Sequence, residues 1–491
     1  MGKRIGGRLF SAKAEGMPEY PIEFGGMFFT NEQKNVWGLI GELAKDQKWA
    51  PRLGKRWVDW KPRYQYLRGK RLVNTDFSDP TKTIPYDLRS DETCLDPTEL
   101  LVSKIKCQFP GLKKALWPYH SKTRQETALY LRKPWKGRPL HEWGFWNFLN
   151  EISSNEAYEL MLIAIGCSSG LRNSNAFDAI WSLLHDAQSQ YYYQLNSGYQ
   201  QLPECLLEAA EENPNVKRQT EHEVNRIEAR GQSMLVHFEG RREPVEAEQV
   251  ILALPRRALE RVEFSGVFPK SFKDEDLAAV ISVPASKLFL GYKQAWWRED
   301  IAKENVLPKA DVAASYTDLP IRQIYYYGKA EAGEPGLLLA SYADDAAESF
   351  WKGLRPPVDN GEARFPDLSS AAGPDAFASE AMVQTAVRQL GLMHPEFVVT
   401  NPAGANFVDW GDEPYGAAWH AWKAYRESWK DSKRMRRPNP KLPVFICGEA
   451  YATLQGWVEG AINTAELVLQ EGFGMPRADW LPATYELTIE E

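Results

Sequence analysis

The residues best placed to do chemistry lie in one short segment near the carboxyl end of the chain. An apolar run, "LPVFIC", precedes Gly448 and Glu449, and the helical pattern that follows opens at Trp457 and Val458. A strand that ends in a glycine turn and leads into a helix directs free backbone amides and the positive end of the helix dipole at one point. This segment therefore predicts a site for an electron-rich group.

A lysine inside an apolar strand is the second candidate. Lys287 lies in "VPASKLFLGY", where a buried charge is costly unless it is paired or has a function. The pattern alone leaves two roles open, a catalytic lysine and one that only extends its amine to the surface.

Two other enzyme classes find little support in the residue spacing. Gly166, Ser168 and Gly170 have the G-x-S-x-G spacing of a hydrolase nucleophile turn, but such a turn follows a strand and "NEAYELMLIAI" has helical periodicity. We therefore expect Ser168 to lie at the end of a helix. The seven histidines show no H-E-x-x-H or other metal-ligand spacing, so no metal site is expected.

The candidates are separated by stretches with helical and strand-like periodicity. The apolar spacing predicts helices at about 31–44, at several places within 97–185, in "GYQQLPECLLEAAEE", at 379–392 and in "EGAINTAELVLQ". Strands are predicted around the turn of "VNRIEARGQSMLVHFEG", in "EQVILALP" as a buried strand, at 287–292, within 324–342 and in "LPVFICGEA". Residues 57–86 are expected to be irregular with short strands.

Composition describes an ordinary globular protein. Of the 491 residues, 43% are hydrophobic and 25% charged, and the net charge of -7 gives no general attraction to nucleic acid or anionic membrane. The five cysteines lack C-x-x-C spacing, which favours an intracellular, cytoplasmic location over a disulfide framework. No signal peptide or membrane-spanning segment is expected.

Four motifs together resemble those of the flavin-containing amine oxidase superfamily, which includes monoamine oxidases and L-amino acid oxidases. "RIGGRLF" and "EFGGM" resemble its two early FAD motifs, "HEVNRI" with "VILALP" its middle segment, and "LPVFICGEA" with "GWVEGAI" its carboxyl-terminal motif. The resemblance implies FAD as cofactor. The cofactor-binding residues that it implies are Gly6, Gly7, Arg8, Gly25, Gly26, Met27, Val224, Gly448, Glu449, Trp457 and Val458.

The resemblance also gives these residues roles. Arg8 would contact the diphosphate or ribityl part of FAD, and residues 25–27 would pass close to the isoalloxazine, where side chains would obstruct approach. Val224 would lie beside the adenine, Glu449 would hold a ribityl hydroxyl, and Val458 would offer its amide to a flavin carbonyl.

The same resemblance implies three catalytic residues. Lys287 would hold a water near flavin N5, while Trp419 and Trp457 would flank the substrate amine in front of the flavin and exclude water. Ala418 occupies the position where some relatives attach flavin through cysteine, so noncovalent FAD is expected.

The substrate is an amine or an L-amino acid, and the sequence leaves both open. Phe28 follows the "GGM" motif where amino acid oxidases commonly carry a carboxylate-binding arginine, although Arg322 is another candidate for that role. The helical segment 97–185 resembles the larger amino acid oxidases. The expected reaction is hydride transfer from a C–N substrate to flavin N5, with oxygen as second substrate and hydrogen peroxide as product; dehydrogenase and monooxygenase outcomes stay open.

The implied fold is α/β plus α, with a discontinuous Rossmann-like FAD-binding domain, a mixed-sheet substrate domain and a helical subdomain. The expected boundaries are 1–30, 196–262 and 437–475 for FAD binding, 31–96 and 263–436 for the substrate, and 97–195 for the helices. Family members carry a strand and a G-x-G-x-x-G loop before the first glycine pair, and this sequence has neither, so we expect that first strand to be missing. A homo-oligomer or a partner chain that supplies the strand is one alternative. A non-catalytic relative that no longer binds FAD tightly is another.

Overall fold

The computed structural model describes residues 4–14, 17–58, 62–114, 124–164, 166, 174–186, 191–297, 312–327, 334–355, 366–369, 376–395 and 397–489. Within these residues the fold is mixed α/β, with several sheets and many short helices. Ser168 and Gly170 lie outside the described residues, so the prediction that Ser168 ends a helix stays a prediction.

The largest sheet among the described residues has seven strands. Its order is β18 (Gly404–Asp409), β14 (Ala285–Tyr292), β17 (Gly336–Asp344), β16 (Gln323–Tyr327), β15 (Val312–Thr317), β5 (Pro62–Leu67) and β6 (Lys70–Val73). Neighbouring strands are antiparallel except β15 and β5, which run parallel.

Strand β14 is the centre of this sheet's packing, because all eight of its residues are buried. Leu288 and Leu290 pack into a cluster with Met382 and Val383, whereas Phe289 packs into a second cluster with Phe24. Alternate residues of a strand face opposite sides. Lys287 therefore lies on a strand that is covered on both faces.

The described part of the chain also forms five smaller sheets. Three of them have two strands: β1 (Ser11–Ala14) with β2 (Met17–Glu23), β11 (Val250–Leu252) in parallel with β20 (Val444–Ile446), and β13 (Val280–Val283) with β19 (Trp419–Trp422). A three-stranded sheet has the order β3 (Phe29–Thr30), β7 (Tyr192–Leu195) and β4 (Lys55–Val58). A four-stranded sheet has the order β10 (Val245–Ala247), β9 (Ser233–Phe238), β8 (Val224–Arg230) and β12 (Glu263–Ser265).

The described helices connect and cover the sheets. They are α1 (Lys34–Leu43), α2 (Asn74–Ser78), α3 (Pro97–Gln108), α4 (Arg124–Leu131), α5 (Phe145–Ile152), α6 (Asn155–Ala164), α7 (Ala176–Asp186), α8 (Gln201–Glu211), α9 (Arg256–Glu260), α10 (Asp274–Leu277), α11 (Asp345–Lys352), α12 (Glu380–Met393), α13 (Ser428–Arg436) and α14 (Val458–Phe473). Short 3-10 helices span Pro110–Lys114, Leu140–Glu142 and Glu449–Tyr451.

The long periodic segments form the elements that their spacing predicts. Helices α1, α8, α12 and α14 and the hairpin of β8 and β9 are confirmed, and residues between 97 and 185 form helices α3 to α7. The strand predicted in "EQVILALP" also forms, but it is not buried throughout, because Ile251 is 41% exposed. A continuous apolar run does not distinguish a covered strand from one with an open face.

Two of the distant stretches assigned to FAD binding pair directly. Residues 250–252 align in parallel with residues 444–446, and Val224 packs against the apolar cluster that contains Val444 and Ile446. The domain boundaries and the expected absence of the first FAD-binding strand stay predictions.

No helix among the described residues has both the length and the apolar character needed to cross a bilayer. The four cysteines in the described part, Cys94, Cys107, Cys205 and Cys447, are free thiols. The same part of the chain contains no cluster of three or more His, Cys, Asp or Glu residues arranged to hold a metal ion.

Candidate active site

An ion pair joins the first glycine motif to the carboxyl-terminal motif. Arg8 Nη1 donates to Glu449 Oε2 over 2.6 Å and to the Ala418 carbonyl oxygen over 3.1 Å. The side chain of Arg8 is 28% exposed, whereas that of Glu449 is 7% exposed. Residues separated by 441 positions in sequence are therefore held at one point.

The Glu449 carboxylate is the centre of a buried hydrogen-bond network. Its Oε1 accepts from the backbone amides of His420 (2.8 Å) and Gly456 (2.9 Å), and its Oε2 accepts from His420 Nδ1 (2.9 Å) as well as from Arg8. Burial alone would raise the pKa of Glu449, but the Arg8 charge and the His420 contacts outweigh it and lower the pKa. Glu449 is therefore ionised at neutral pH.

His420 completes this network as a neutral side chain. Burial lowers its pKa despite the Glu449 carboxylate beside it. Because an ionised carboxylate only accepts hydrogen bonds, the proton lies on Nδ1 and Nε2 is an acceptor. Nε2 is buried and has no partner among the described residues. Because the His420 side chain is 0% exposed, this acceptor faces the protein interior.

The two early glycine motifs pack against each other as the end of one hairpin. Ser11 pairs with Glu23, and beyond this pair Gly25 N donates to Phe10 O over 3.1 Å. A Cβ atom on Gly25 would lie 2.0 Å from the Arg8 carbonyl oxygen. Glycine at position 25 is therefore required by contacts within the protein, in addition to any approach of a cofactor.

Lys287 reaches across to this hairpin. Its Nζ donates to the carbonyl oxygens of Glu23 (2.9 Å) and Gly25 (2.5 Å) and lies 3.3 Å from Met27 Sδ. The residue is 3% exposed. Three acceptors match the three hydrogens of an ammonium group, so Lys287 fixes the 23–27 segment in this arrangement. The water-holding role that the resemblance implies is not tested by these contacts.

Trp419 and Trp457 are each next in sequence to a residue whose backbone amide bonds to Glu449. Trp457 is the N-cap residue of α14, and its ring centroid is 6.3 Å from that of Tyr192. The side chain of Trp419 is 3.7 Å from the position that a Cβ on Gly456 would occupy. The backbone amides of His420 and Gly456, each next to one of the tryptophans in sequence, donate to the same Glu449 carboxylate.

The backbone at Gly448 and α14 fits an anionic or polar cofactor. Gly448 has a φ of 126°, and no atom lies within 4 Å of the Cβ that another residue would add there. Helix α14 begins at Val458 and has no side-chain cap on its first amides. The open position, the uncapped helix start and the partly exposed Arg8 cation together fit the polar parts of FAD.

The remaining predicted residues are placed as follows. Gly6 and Gly7 form the positive-φ turn before Arg8, and Gly26 donates its amide to Arg8 O over 3.0 Å. Phe28 is half-buried, with its ring centroid 5.7 Å from that of Tyr325. Arg322 donates to the carbonyl oxygens of Thr317 and Leu162 over 3.2 and 3.4 Å. These contacts give Arg322 a structural role.

Sequence reasoning missed two residues of this site, His420 and Glu23. His420 is next to Trp419 in a strand, so alternation would have placed it on the opposite, buried face. Glu23 is the first residue of the "EFGGM" motif. Its burial in an apolar strand carries the same cost as that of Lys287 and is the signal that would have identified it.

Known proteins match this chain over most of its length. Residues 1–469 match the model of the family described as flavin containing amine oxidoreductase. Aplysianin-A of Aplysia kurodai is 25% identical over 495 residues, which cover 96% of this chain and 84% of that protein. Achacin of Lissachatina fulica is 24% identical over 495 residues, covering 96% and 87%. The structure of wild-type putrescine oxidase bound to putrescine superposes with a TM-score of 0.63 at 17% identity, covering 96% of this chain and 92% of that one.

Proposed function

This chain belongs to the flavin-containing amine oxidoreductase family, and we propose that it is an FAD-dependent oxidase of small amines or L-amino acids that releases hydrogen peroxide. One observation carries the proposal. Arg8 and Glu449, from the first and last cofactor motifs, are joined at 2.6 Å, and the residues next to Trp419 and Trp457 donate their amides to the same carboxylate. When bound, FAD supplies the acceptor for the hydride that leaves the carbon next to the substrate nitrogen, and the donor for oxygen.

The protein's own residues then have separate tasks. Trp419 and Trp457 present aromatic faces that orient a neutral amine and exclude water from it. Arg8 and the α14 amides offset the negative charge of the cofactor, and Gly448 leaves room for it. Lys287 holds the 23–27 segment through the Gly25 carbonyl oxygen, and in this proposal that segment borders the flavin. Because Ala418 offers no sulfur for attachment, FAD is held noncovalently, and a cytoplasmic location is part of the same proposal.

Within this proposal an amine without a carboxylate is the better substrate. Arg322 is committed to backbone carbonyl oxygens. Phe28 packs beside Tyr325 instead of offering a charge, and the partly buried Trp457 and Tyr342 border the same apolar cluster. A carboxylate transferred into such surroundings loses its hydration without gaining a partner.

Purified protein from cells supplied with riboflavin tests the proposal. We expect the absorption bands of oxidised flavin, bleaching of those bands by a primary amine in the absence of oxygen, and hydrogen peroxide when oxygen returns. Release of the flavin by denaturation would establish noncovalent binding. A colourless, folded protein would instead support a relative that keeps the fold without the cofactor, and oxygen uptake without peroxide would contradict the oxidase.

Replacing Phe28 with arginine is expected to shift the preference toward amino acids. The new guanidinium would supply the missing carboxylate partner, and a charge-assisted hydrogen bond contributes about 1.5 to 3 kcal/mol, or roughly 10-fold or more in kcat/KM for an L-amino acid relative to its decarboxylated amine. The measurement is the ratio of kcat/KM for such a pair of substrates. Phe28→Leu is the control, since it removes the ring without adding charge. An unchanged ratio would show that position 28 does not face the substrate carboxylate.

A further inference from the structure

Glu459 is a buried carboxylate in the first turn of α14, two residues after Trp457. Its Oε1 accepts from the Asn35 amide and its Oε2 from the Val36 amide, each over 2.9 Å. The residue is 0% exposed. The two oxygens of one carboxylate therefore bond consecutive amides at the start of α1, at least 423 positions earlier in the sequence.

Helix α1 depends on this carboxylate for its cap. Within the described chain its own N-cap residue, Gln33, makes no side-chain hydrogen bond to the first amides, and its first turn has no acidic residue. The first amides of a helix have no partner inside the helix and carry the positive end of its dipole. Glu459 of α14 supplies both the acceptors and the negative charge that a capping side chain would provide from within the same segment.

Tyr485 bonds the same carboxylate from the carboxyl-terminal part of the chain. Its hydroxyl donates to Glu459 Oε1 over 2.5 Å, and burial raises the pKa of that hydroxyl, so it keeps its proton at neutral pH. Two amides and a hydroxyl are all donors, and an ionised carboxylate, which only accepts, matches them. A glutamine would present one oxygen and one amino group to the same donors. These contacts therefore favour a carboxylate over an amide.

Trp457 and Val458, immediately before Glu459, pack into two different apolar clusters. Trp457 packs against the cluster that contains Phe24, and Val458 against the one that contains Ile40 of α1. Apolar contacts have no preferred direction, whereas a hydrogen bond needs an aligned donor and acceptor within about 3.2 Å. The Glu459 bonds therefore set where α14 begins relative to α1.

The two helices are joined at a second point. Asn35 Nδ2 donates to Asn463 Oδ1 over 2.7 Å, and both asparagines are buried. Asn463 lies about one turn along α14 from Glu459. Polar bonds at two successive turns fix α14 against α1 in both translation and rotation.

We propose that Glu459, held by the α1 amides and by Tyr485, is a positioning residue for the oxidation. It fixes the first turn of α14, and with it the Trp457 ring and the Val458 amide. This inference rests on the proposed function, in which Trp457 flanks the substrate and Val458 offers its amide to the flavin. Glu459 is bonded to protein groups, so it acts through the two residues before it.

Hydrogen exchange of the full-length holoprotein, followed by mass spectrometry, tests the link without reference to activity. The Asn35 and Val36 amides have no partner within α1, so Glu459→Gln should make residues 33–38 exchange about 10-fold faster. Residues 453–460, at the start of α14, should lose protection in the same variant. Unchanged exchange in either segment would overturn the proposal.

The rate of flavin reduction gives the readout that a merely structural residue would not change. In Glu459→Gln, anaerobic reduction of bound flavin at saturating amine should be about 10-fold slower, because small misplacements of an orienting group slow a reaction strongly. The amine concentration that gives half of the maximal rate should change less. Faster exchange with an unchanged rate of reduction per bound flavin would show a structural residue only and would overturn the positioning role.

Glu92 provides the matched control, because it is also 0% exposed and bonds a backbone amide beside the start of a helix. Its Oε1 accepts from the Ser154 amide over 2.8 Å, just before α6, and pairs with Lys104. Glu92→Gln should lower stability but leave the exchange of residues 33–38 and the rate of flavin reduction as in wild type. An equal slowing of reduction in Glu92→Gln would contradict a specific role for Glu459.

Tyr485→Phe keeps the test valid if Glu459→Gln does not fold. It removes one donor and leaves both α1 amides bonded, so exchange and reduction should change in the same directions by about 3-fold. Values equal to wild type for either measurement would refute the proposal. If no amine reduced the wild-type flavin, the proposed function would fail by itself, and the exchange measurements would still decide whether Glu459 fixes the start of α14.

Discussion

Replacing Arg8 with alanine is expected to destabilise the protein and to release most of its flavin. The change leaves the buried Glu449 carboxylate without its cation. Removing one partner of a buried ion pair lowers the free energy of unfolding by about 3 to 5 kcal/mol. Because Arg8 is partly exposed, we expect a loss at the lower end of that range. Loss of the charge-assisted contact to FAD should weaken its binding by roughly 10-fold or more. Chemical unfolding and flavin content after gel filtration measure the two effects.

Arg52 provides the matched control for this prediction. Its side chain is 29% exposed, close to the value for Arg8, but its partner Glu208 is 35% exposed. Arg52→Ala should therefore cost less than about 1 kcal/mol, as is usual for surface pairs, and should leave the flavin content unchanged. Arg8→Ala with the same stability and flavin content as Arg52→Ala would contradict the central role of the Arg8 and Glu449 pair.

The Arg8 and Glu449 contact also illustrates how far the sequence alone can predict the site. The segment that contains Glu449 was identified from a local strand, glycine and helix pattern, whereas Arg8 was implied by the resemblance of its motif to a family motif. What joins them is a contact across 441 positions, which no local pattern encodes. The family resemblance implied that both residues contact FAD, but it did not predict the contact between them.

His420 and Glu23 show what neither pattern nor resemblance identified. Both are defined by burial and by partners that are distant in sequence: Glu449 for His420, and Ser11, Tyr199 and Lys287 for Glu23. Burial depends on which elements cover a strand, and that is a property of tertiary packing. A useful signal was nevertheless present, since a lone acid and a lone base in apolar strands each need a partner.

Gly25 was correctly predicted as a position that needs glycine, but the reason given for it was incomplete. The motif marked it as a place where a side chain would obstruct a cofactor, but an added Cβ would first meet the Arg8 carbonyl oxygen at 2.0 Å. Ile251 is the converse case, because its apolar run predicted burial and the strand has an exposed face. For both residues, the sequence does not show which other part of the folded chain packs against them.

Lys287→Met is expected to slow the reaction of reduced flavin with oxygen by about 100-fold, the usual effect of losing a charged group beside a developing charge. Reduction by substrate should change much less. Methionine keeps an unbranched side chain of similar bulk, so packing on β14 is preserved while the amine is removed. Stopped-flow measurement of anaerobic reduction and of aerobic reoxidation gives the two rates separately.

This experiment distinguishes two roles of Lys287, one in the reaction of the flavin with oxygen and one in holding the 23–27 segment. Because Nζ also holds the carbonyl oxygens of Glu23 and Gly25, loss of the amine could loosen the segment and slow both half-reactions equally. Lys104→Met is the control, since Lys104 is 7% exposed and pairs with Asp91 and Glu92 in the helical part. It should lower stability without changing either rate. A selective loss of reoxidation in Lys287→Met assigns the amine to oxygen chemistry, equal losses assign it to holding the 23–27 segment, and two unchanged rates would leave it a structural lysine.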